Sequence, residues 1–346
     1  MYEKTSQANL QFGLVTPQEG RSIEEILSAA REAEKLGFDS VWIYDHMFMS
    51  RKKPYPECWV TLSAISGKTQ RVKIGPLVLN NLLRYPSLVA KMGATLDQLS
   101  YGRFELGMGA GWYREECEAY GIKFPSFTER VARLAESVEI ILKLWKSRGK
   151  PVSFQGKYYK IKDARCLPPP YSKPCPPIFL GGRSNAVLRI VARRALGINI
   201  DQDWGIGLAE TQKVLTILDY LCRREGIDPK RIRKSLCVRL FVGHEESKIE
   251  KQLNKWKKEA IIERSLTRKL LKESLNIVRA LSVSKNLKFV SSTSQIIGSP
   301  EDCVSQLLEY YNLGINNFYI KLYDFTDFEL LKLVADEIIK PIKGRK

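Results

Sequence analysis

Histidine is nearly missing from this chain: 346 residues hold two, His46 and His244. A zinc site built on several imidazoles is therefore excluded. The seven cysteines (Cys58, Cys117, Cys166, Cys175, Cys222, Cys237 and Cys303) are odd in number, scattered and never spaced C-x-x-C. A disulfide framework or a zinc ribbon needs regular spacing, so reduced thiols in a cytoplasm are the expectation. No run approaches the roughly 18 apolar residues of a membrane span, and Met1 to Gln11 carry no apolar signal core. Acid is in short supply as well: 38 Asp and Glu face 56 Lys and Arg, a net charge of +18, which should draw anionic partners. What is present is a globular composition, with 44% hydrophobic and 27% charged residues, too apolar for a disordered chain. The length fits two domains or one α/β barrel with insertions.

One pattern occurs three times. Leu36-Gly37-Phe38-Asp39, Leu196-Gly197-Ile198-Asn199 and Leu313-Gly314-Ile315-Asn316 each lead into a short apolar run. A helix is expected to end at each glycine, which tolerates the left-handed conformation of a helix C-terminus, and a strand to follow. Helix starts repeat too: Ser22…Glu25, Ser126…Glu129, Ser299…Asp302 and Thr326…Glu329 have capping-box spacing, and Pro300 suits a first turn. Strands are expected at 12–16, 40–44, 72–79, 103–108, 177–181, 197–201, 236–242 and 317–322, with helical patterns between nearly all of them. Eight strands alternating with helices predict a (β/α)8 TIM barrel, with a doubly wound open sheet as competitor.

Two segments break the alternation and are read as insertions after strands four and seven of a single domain over 1–346. Residues 150–176 read as a hairpin followed by the proline-rich Leu167 to Pro177. Residues 244–296 read as a lysine-rich helical insertion. Residues 221–290 contain 19 Lys and Arg against 8 Asp and Glu, net +11 of the total. The insertion should overhang the barrel mouth as a substrate lid or dimer contact. Nucleic acid is not the expected partner of the basic stretch, even with Trp256 and Phe289 in it. No nucleic-acid motif is present, and lysine-rich helices are mostly solvated faces.

In a barrel of this kind chemistry sits at the strand C-termini. Asp45-His46 follows the second strand and falls there. An imidazole at that place is a general base or a hydride-transfer partner, or else a buried histidine bonded to a backbone carbonyl. Gly107-Met108-Gly109-Ala110-Gly111-Trp112 follows the fourth strand. Glycines here let a ligand approach the backbone, or else simply make a tight turn before a helix; Trp112 stands where the dinucleotide fingerprint requires glycine, so the motif fails as a nicotinamide site. Gly181-Gly182-Arg183-Ser184 opens a helix after the fifth strand. It reads as a phosphate seat on a helix N-terminus, or as plain capping by Ser184.

Together these stretches resemble the bacterial-luciferase-like superfamily. More narrowly they are similar to its branch that uses the deazaflavin coenzyme F-420 (F420), which includes methylenetetrahydromethanopterin reductase. The likeness is carried by Ser40 to His46, Gly75-Pro76 through Arg84-Tyr85-Pro86, Ala94 to Arg103, Leu106 to Trp112, Gly181-Gly182 and Gly298 to Glu301. The resemblance implies an oxidoreductase acting on a small organic substrate, through a CH–OH or CH–NH group; a homodimer is expected, in the cytoplasm that the cysteines already suggest. The resemblance implies His46 and Asp45 near the ring and a bulge with a cis peptide, Leu77-Val78, behind it. Asn80, Ala110, Gly111 and Trp112 would line the ring or its side chain. Leu180, Gly181, Gly182, Arg183 and Ser184 would hold the phosphate, with no metal. FMN, in a two-component monooxygenase of the same superfamily, is the alternative cofactor. Against the sugar-phosphate dehydrogenases of the branch, Trp112 replaces an acid and Ser50 a tryptophan; against the methanopterin reductase, Val15 replaces an acid.

Overall fold

The computed structural model describes residues 10–50, 52–194, 196–262 and 295–344. The expected apolar runs form β1 (Gln11–Val15), β2 (Ser40–Ile43), β3 (Lys73–Pro76) with its continuation β4 (Leu79–Asn80), and β5 (Leu106–Gly109). After an antiparallel hairpin of β6 (Val152–Gln155) and β7 (Lys160–Ala164) come β8 (Ile178–Gly181), β9 (Gly197–Asp201) and β10 (Lys234–Val242). A short β11 (Ile296–Gly298) and then β12 (Asn317–Leu322) complete the strands. Neighbours run β3-β2-β1-β12-β10-β9-β8-β5-β4, and every barrel pair is parallel. The ring closes where Ile74 N–H donates to Arg103 O (3.0 Å) and Glu105 N–H to Ile74 O (2.9 Å). Counting β3 and β4 as one interrupted strand, this is an eight-stranded TIM barrel, and the open-sheet competitor is excluded.

The covering helices are α1 (Ile23–Leu36), α2 (Cys58–Lys68), α3 (Pro86–Leu99), α4 (Arg114–Ala119), α5 (Phe127–Lys146), α6 (Asn185–Arg194) and α7 (Leu208–Arg224). They continue with α8 (Glu246–Ile262), α9 (Pro300–Asn312), α10 (Phe328–Val334) and α11 (Lys340–Gly344). Capping boxes form at Ser22 with Glu25 and at Ser299 with Asp302, and Ser126 caps α5 through Glu129 N–H. The fourth expected box does not form. Asp327 caps α10, accepting from Leu330 N–H at 3.0 Å, while the Thr326 hydroxyl is engaged on Asp324 at 2.6 Å. A carboxylate one residue later reaches the free amide first.

Gly37 and Gly314 end their helices with φ of 89° and 95°. Gly197 does not: it is the first residue of β9. A Cβ there would lie 2.9 Å from the Phe179 Cβ, so packing inside the barrel, not a helix end, requires that glycine. The 244–296 segment is expected to be mostly helical, and its last residue, Ile296, begins a short strand. Helix α8 opens it, but β11 pairs in parallel with β10, Leu240 opposite Ile296. Its residues 263–294 lie outside the described residues.

Two cores result. Most apolar side chains, from Phe12 and Leu14 to Ile342, pack between strands and helices. A small separate group of Val15, Trp42, Leu77, Phe179, Cys237 and Tyr319 fills the barrel itself. Below it Glu105 is buried between Arg233 (2.7 Å) and Lys73 (3.1 Å). Burial alone would raise the Glu105 pKa, but the two cations overcome it and hold the carboxyl below its ordinary value. No helix of the described residues is long and apolar enough to cross a membrane.

Candidate active site

Strand β2 delivers Tyr44, Asp45 and His46 to the C-terminal rim. His46 Nδ1–H donates to Glu116 of α4 (3.0 Å to Oε1, 3.1 Å to Oε2). Glu116 is fully buried and also accepts from Met47 N–H (2.9 Å) and Asn80 Nδ2–H (3.2 Å). A carboxylate can only accept, so the contact places a proton on Nδ1, and in the neutral form of the ring the lone pair is on Nε2. The alternative of a histidine tied to a backbone carbonyl is thereby replaced by a carboxylate–imidazole pair.

Asp45 plays a different part. Its carboxylate accepts from Arg84 Nη1 (2.8 Å) and from the Asn80 backbone N–H (2.8 Å), and Arg84 Nη2 continues to Glu57 (2.6 Å). Burial pushes the Asp45 pKa up and Arg84 opposes the rise. The bonds form a chain in which Asp45 holds the end of β4 at Asn80, Asn80 holds Glu116, and Glu116 holds His46. Asp45 orients, while His46 is the group whose ring edge reaches the mouth.

The Leu77–Val78 peptide is cis. Val78 projects between two glycine backbones: a Cβ on Gly109 would come 2.8 Å from Val78 Cγ2, and one on Gly181 2.9 Å from the same atom. Two strands thus give up their side chains to admit one valine. Gly111 is left-handed (φ 80°), and a Cβ there would sit 2.5 Å from Asn80 Oδ1. Next to it Trp112 is 39% exposed and meets the His46 ring edge-on, 5.5 Å between centroids. Asp45, His46, Asn80, Gly111 and Trp112 are therefore linked directly, and Val78 joins Gly109 to Gly181. Ala110 is half-buried beside the main core.

The residues expected to hold a phosphate stand apart from this group. Leu180 buries its side chain in the strand–helix core, leaving only its backbone toward a ligand. Gly182 has φ 139°, and its N–H donates to Asn199 O (3.3 Å). The Ser184 hydroxyl accepts from Val187 N–H (3.3 Å), which is the capping role. Arg183 is exposed, and the remaining first-turn amides of α6 have no carbonyl within their own helix.

Opposite lies a group that the sequence did not single out. Lys321 of β12 is 2% exposed and donates to Asp201 (3.0 Å) and Asp203 (2.7 Å). Arg239 of β10 reaches Asp203 at 2.9 Å. Burial would raise the Asp203 pKa, but Arg239 and Lys321 prevail and hold it well below the usual carboxylate range. The Lys321 ammonium also lies over the Tyr44 ring, 5.5 Å from its centroid. Glu116 was missed as well. Its signal was faint: an acid followed by a cysteine, four residues after the tryptophan of the glycine turn. Among the described residues no group of three or more His, Cys, Asp or Glu is placed to hold a metal ion.

With this geometry in hand, comparison with known proteins gives a consistent result. The sequence model of the family described as luciferase-like monooxygenase matches residues 8–317. An F420-dependent glucose-6-phosphate dehydrogenase of Amycolatopsis mediterranei (strain U-32) is 27% identical over 313 residues, covering 89% of this chain and 91% of that protein. Among solved structures, an F420-dependent secondary alcohol dehydrogenase in complex with an F420-acetone adduct aligns with a TM-score of 0.78 at 21% identity. That alignment covers 96% of this chain and 99% of that one. The coenzyme F420 dependent tetrahydromethanopterin reductase from Methanopyrus kandleri aligns at 0.77 with 20% identity, over 97% of this chain and 100% of that one. The two structural likenesses carry the fold.

Proposed function

The chain belongs to the luciferase-like monooxygenase family, and on that premise we propose that it is an oxidoreductase using coenzyme F420 to exchange a hydride with a small organic substrate. The observation that carries the reading is a pairing at one barrel mouth. A valine backrest stands between two bare glycine strands, and nearby an imidazole is fixed on a buried carboxylate. Relatives named as F420-dependent dehydrogenases, similar over about nine-tenths of the chain, support the deazaflavin over FMN. Their sugar-phosphate substrate is not carried over, because Trp112 and Ser50 depart from that pattern.

The residues present fit the cofactor. Val78 and the Gly109–Gly111 backbone offer an apolar surface without side chains to obstruct a flat ring. Asn80 and Trp112 border it. Arg183 and the first-turn amides at the start of α6 that carry no partner within the helix would offer a cation and donors to a phosphate, with Gly182 and Ser184 shaping the turn. When bound, F420 supplies the two-electron hydride chemistry. The chain supplies the proton. His46, with Nδ1–H engaged, keeps Nε2 as the site that accepts or returns a proton. Glu116 balances the charge the ring acquires when it does so. Asp45, Arg84 and Asn80 keep Glu116 in register, and the Trp112 ring narrows the water-accessible edge of His46.

A homodimer with a small-molecule substrate, no nucleic-acid partner and a cytoplasmic setting belong to the same reading. The described cysteines, all free, support a reducing compartment. The barrel remains one domain in it, with the 244–296 segment acting as a lid or dimer contact. The test is titration of the purified protein with F420 and with FMN, followed by absorbance and fluorescence. Saturable binding of F420 and indifference to FMN are expected; tight FMN binding without F420 binding would overturn the assignment.

A further inference from the structure

Across the barrel mouth from Val78 stand two cations, Arg239 on β10 and Lys321 on β12. Each follows by two residues a side chain that fills the barrel, Cys237 and Tyr319, so strand alternation turns both inward at the C-terminal ends. The strand order places β10 and β12 on the far side of the barrel from β4, β5 and β8. A substrate lying on the open face of a ring held by Val78 therefore meets this wall. The inference rests on the F420 reading above.

Neither cation is free to take an anion. Lys321 Nζ donates to Asp201 (3.0 Å) and Asp203 (2.7 Å) and lies over the Tyr44 ring, 5.5 Å from its centroid. Arg239 donates to Asp203 from Nη2 (2.9 Å) and Nε (3.3 Å), and its guanidinium lies over Trp256 of α8, 5.5 Å from the ring centroid. Two cations and two carboxylates leave the group neutral. The order of burial then decides what a ligand meets. The Lys321 and Arg239 side chains are 2% and 17% exposed, whereas those of Asp201 and Asp203 keep 26% and 22%. Carboxylate faces the mouth, and the positive charge lies behind it. An arriving phosphate or carboxylate meets like charge in a poorly screened setting, and reaching either cation requires breaking a buried ion pair. An uncharged O–H or N–H group meets neither cost, because it can donate to the carboxylate oxygens.

We propose that Asp201 and Asp203 are the specificity-determining residues of this mouth. They hold Lys321 and Arg239 out of reach, so that the substrate is uncharged where it faces β10 and β12, and removing either acid turns the wall into an anion subsite. The two acids act by charge, and the hydride chemistry remains the cofactor's.

The experiment uses the full chain as wild type, Asp203→Asn and Asp201→Asn, each checked for cooperative thermal unfolding. F420 is titrated first, and the three forms should bind it with dissociation constants within about twofold. Failure of the wild type to bind F420 withdraws that reading; the anion comparison is then made on the cofactor-free forms, which share one α6, and still decides the role of the two acids. Calorimetry on F420-saturated protein, in which the proposed phosphate seat is filled, next compares inorganic phosphate, glucose and glucose 6-phosphate. The wild type should bind glucose 6-phosphate no more tightly than glucose and show no saturable binding of phosphate. Asp203→Asn should bind both phosphate-bearing probes at least about tenfold more tightly than the wild type, with a smaller gain in Asp201→Asn, which leaves Asp203 on both cations. Adding Lys321→Met to Asp203→Asn should abolish the gain. If Asp203→Asn does not fold, Asp201→Asn carries the comparison. A wild type that prefers glucose 6-phosphate to glucose by about tenfold or more overturns the proposal. So do folded variants whose phosphate affinity equals that of the wild type, or a gain that survives Lys321→Met, which would put the anion elsewhere.

Discussion

On the β3, β5 and β8 side of the barrel mouth the inward positions are Gly109 and Gly181, with Val78 lodged between them. On the β9, β10 and β12 side they are Asp201, Arg239 and Lys321, tied together with Asp203 by ion pairs of 2.7 to 3.0 Å. The first side gives up side chains and exposes backbone. The second fills its space with charges that satisfy one another. The first side is therefore the one proposed for a flavin-type ring, because entering the second would break paired charges in a low-dielectric setting. The same contrast separates sources of stability: the glycine side gives up packing, whereas the ionic side locks three neighbouring strands together.

Breaking the ionic side should have the largest effect. Lys321→Met leaves Asp201 and Asp203 facing each other with one cation fewer, and removing one partner of a buried network of this kind costs about 3–5 kcal/mol. Urea denaturation should record that loss, while the fraction that remains folded should still bind F420 like the wild type. A loss of stability within error of zero would show that the network is dispensable and the two sides are not different in kind.

Filling the glycine side should cost less in stability and more in binding. Gly181→Ala places a methyl 2.9 Å from Val78 Cγ2, and overpacking of this sort costs about 1–3 kcal/mol. Because Val78 must move into the space proposed for the ring, F420 affinity should fall at least about tenfold, measured by fluorescence titration. A double variant Gly181→Ala with Val78→Ala should recover part of both losses, since the smaller side chain removes the collision.

How far these features can be read in the sequence differs between the two sides in the same way. The glycine side is legible because its parts are consecutive: Gly107 to Trp112, Gly181-Gly182 and Asp45-His46 are each one stretch, placed at strand ends by the alternation of strands and helices. The ionic side is not, because Asp201 and Lys321 lie 120 positions apart and meet only once the barrel closes. Glu116 was hidden for another reason. Arg114-Glu115-Glu116-Cys117-Glu118 looks like a solvated helical face, and only the packing of α4 against the loop after β2 turns one of those acids inward. Gly197 misled in the opposite direction, since a helix-ending pattern and a strand glycine required by Phe179 are identical as letters.

Acid sharpens the contrast next. Asp203 has its pKa held down in the folded protein: burial favours the neutral form, but Arg239 and Lys321 outweigh it. A depressed carboxylate contributes stability that is fully present above its unfolded value of about 3.9 and is lost as pH falls through the lower folded value. Asp203→Asn should therefore be less stable than the wild type at neutral pH, with the gap closing as pH is lowered below about 4. The measurement is denaturant unfolding across that range. A gap that stays constant down to the lowest accessible pH would place the acid response elsewhere, with Glu105 at the barrel floor the next candidate.

The smallest effect belongs to the proposed phosphate seat at the start of α6, which continues the glycine side outward into solvent. Arg183 is exposed, so its charge acts through water and salt, and such contacts are worth about 0.2–1 kcal/mol. Ser184 is already engaged in capping α6, which leaves the helix amides as the main anchor. Arg183→Ala should weaken F420 binding by no more than about fivefold, and the loss should shrink as salt rises, because exposed charges are screened. The deazaflavin chromophore without its phosphate provides the decisive control. If the seat acts on the phosphate, wild type and Arg183→Ala should bind that chromophore equally; if Arg183 instead touches the ring, both ligands should lose affinity by the same factor, and the α6 N-terminus would no longer be the end of the cofactor site.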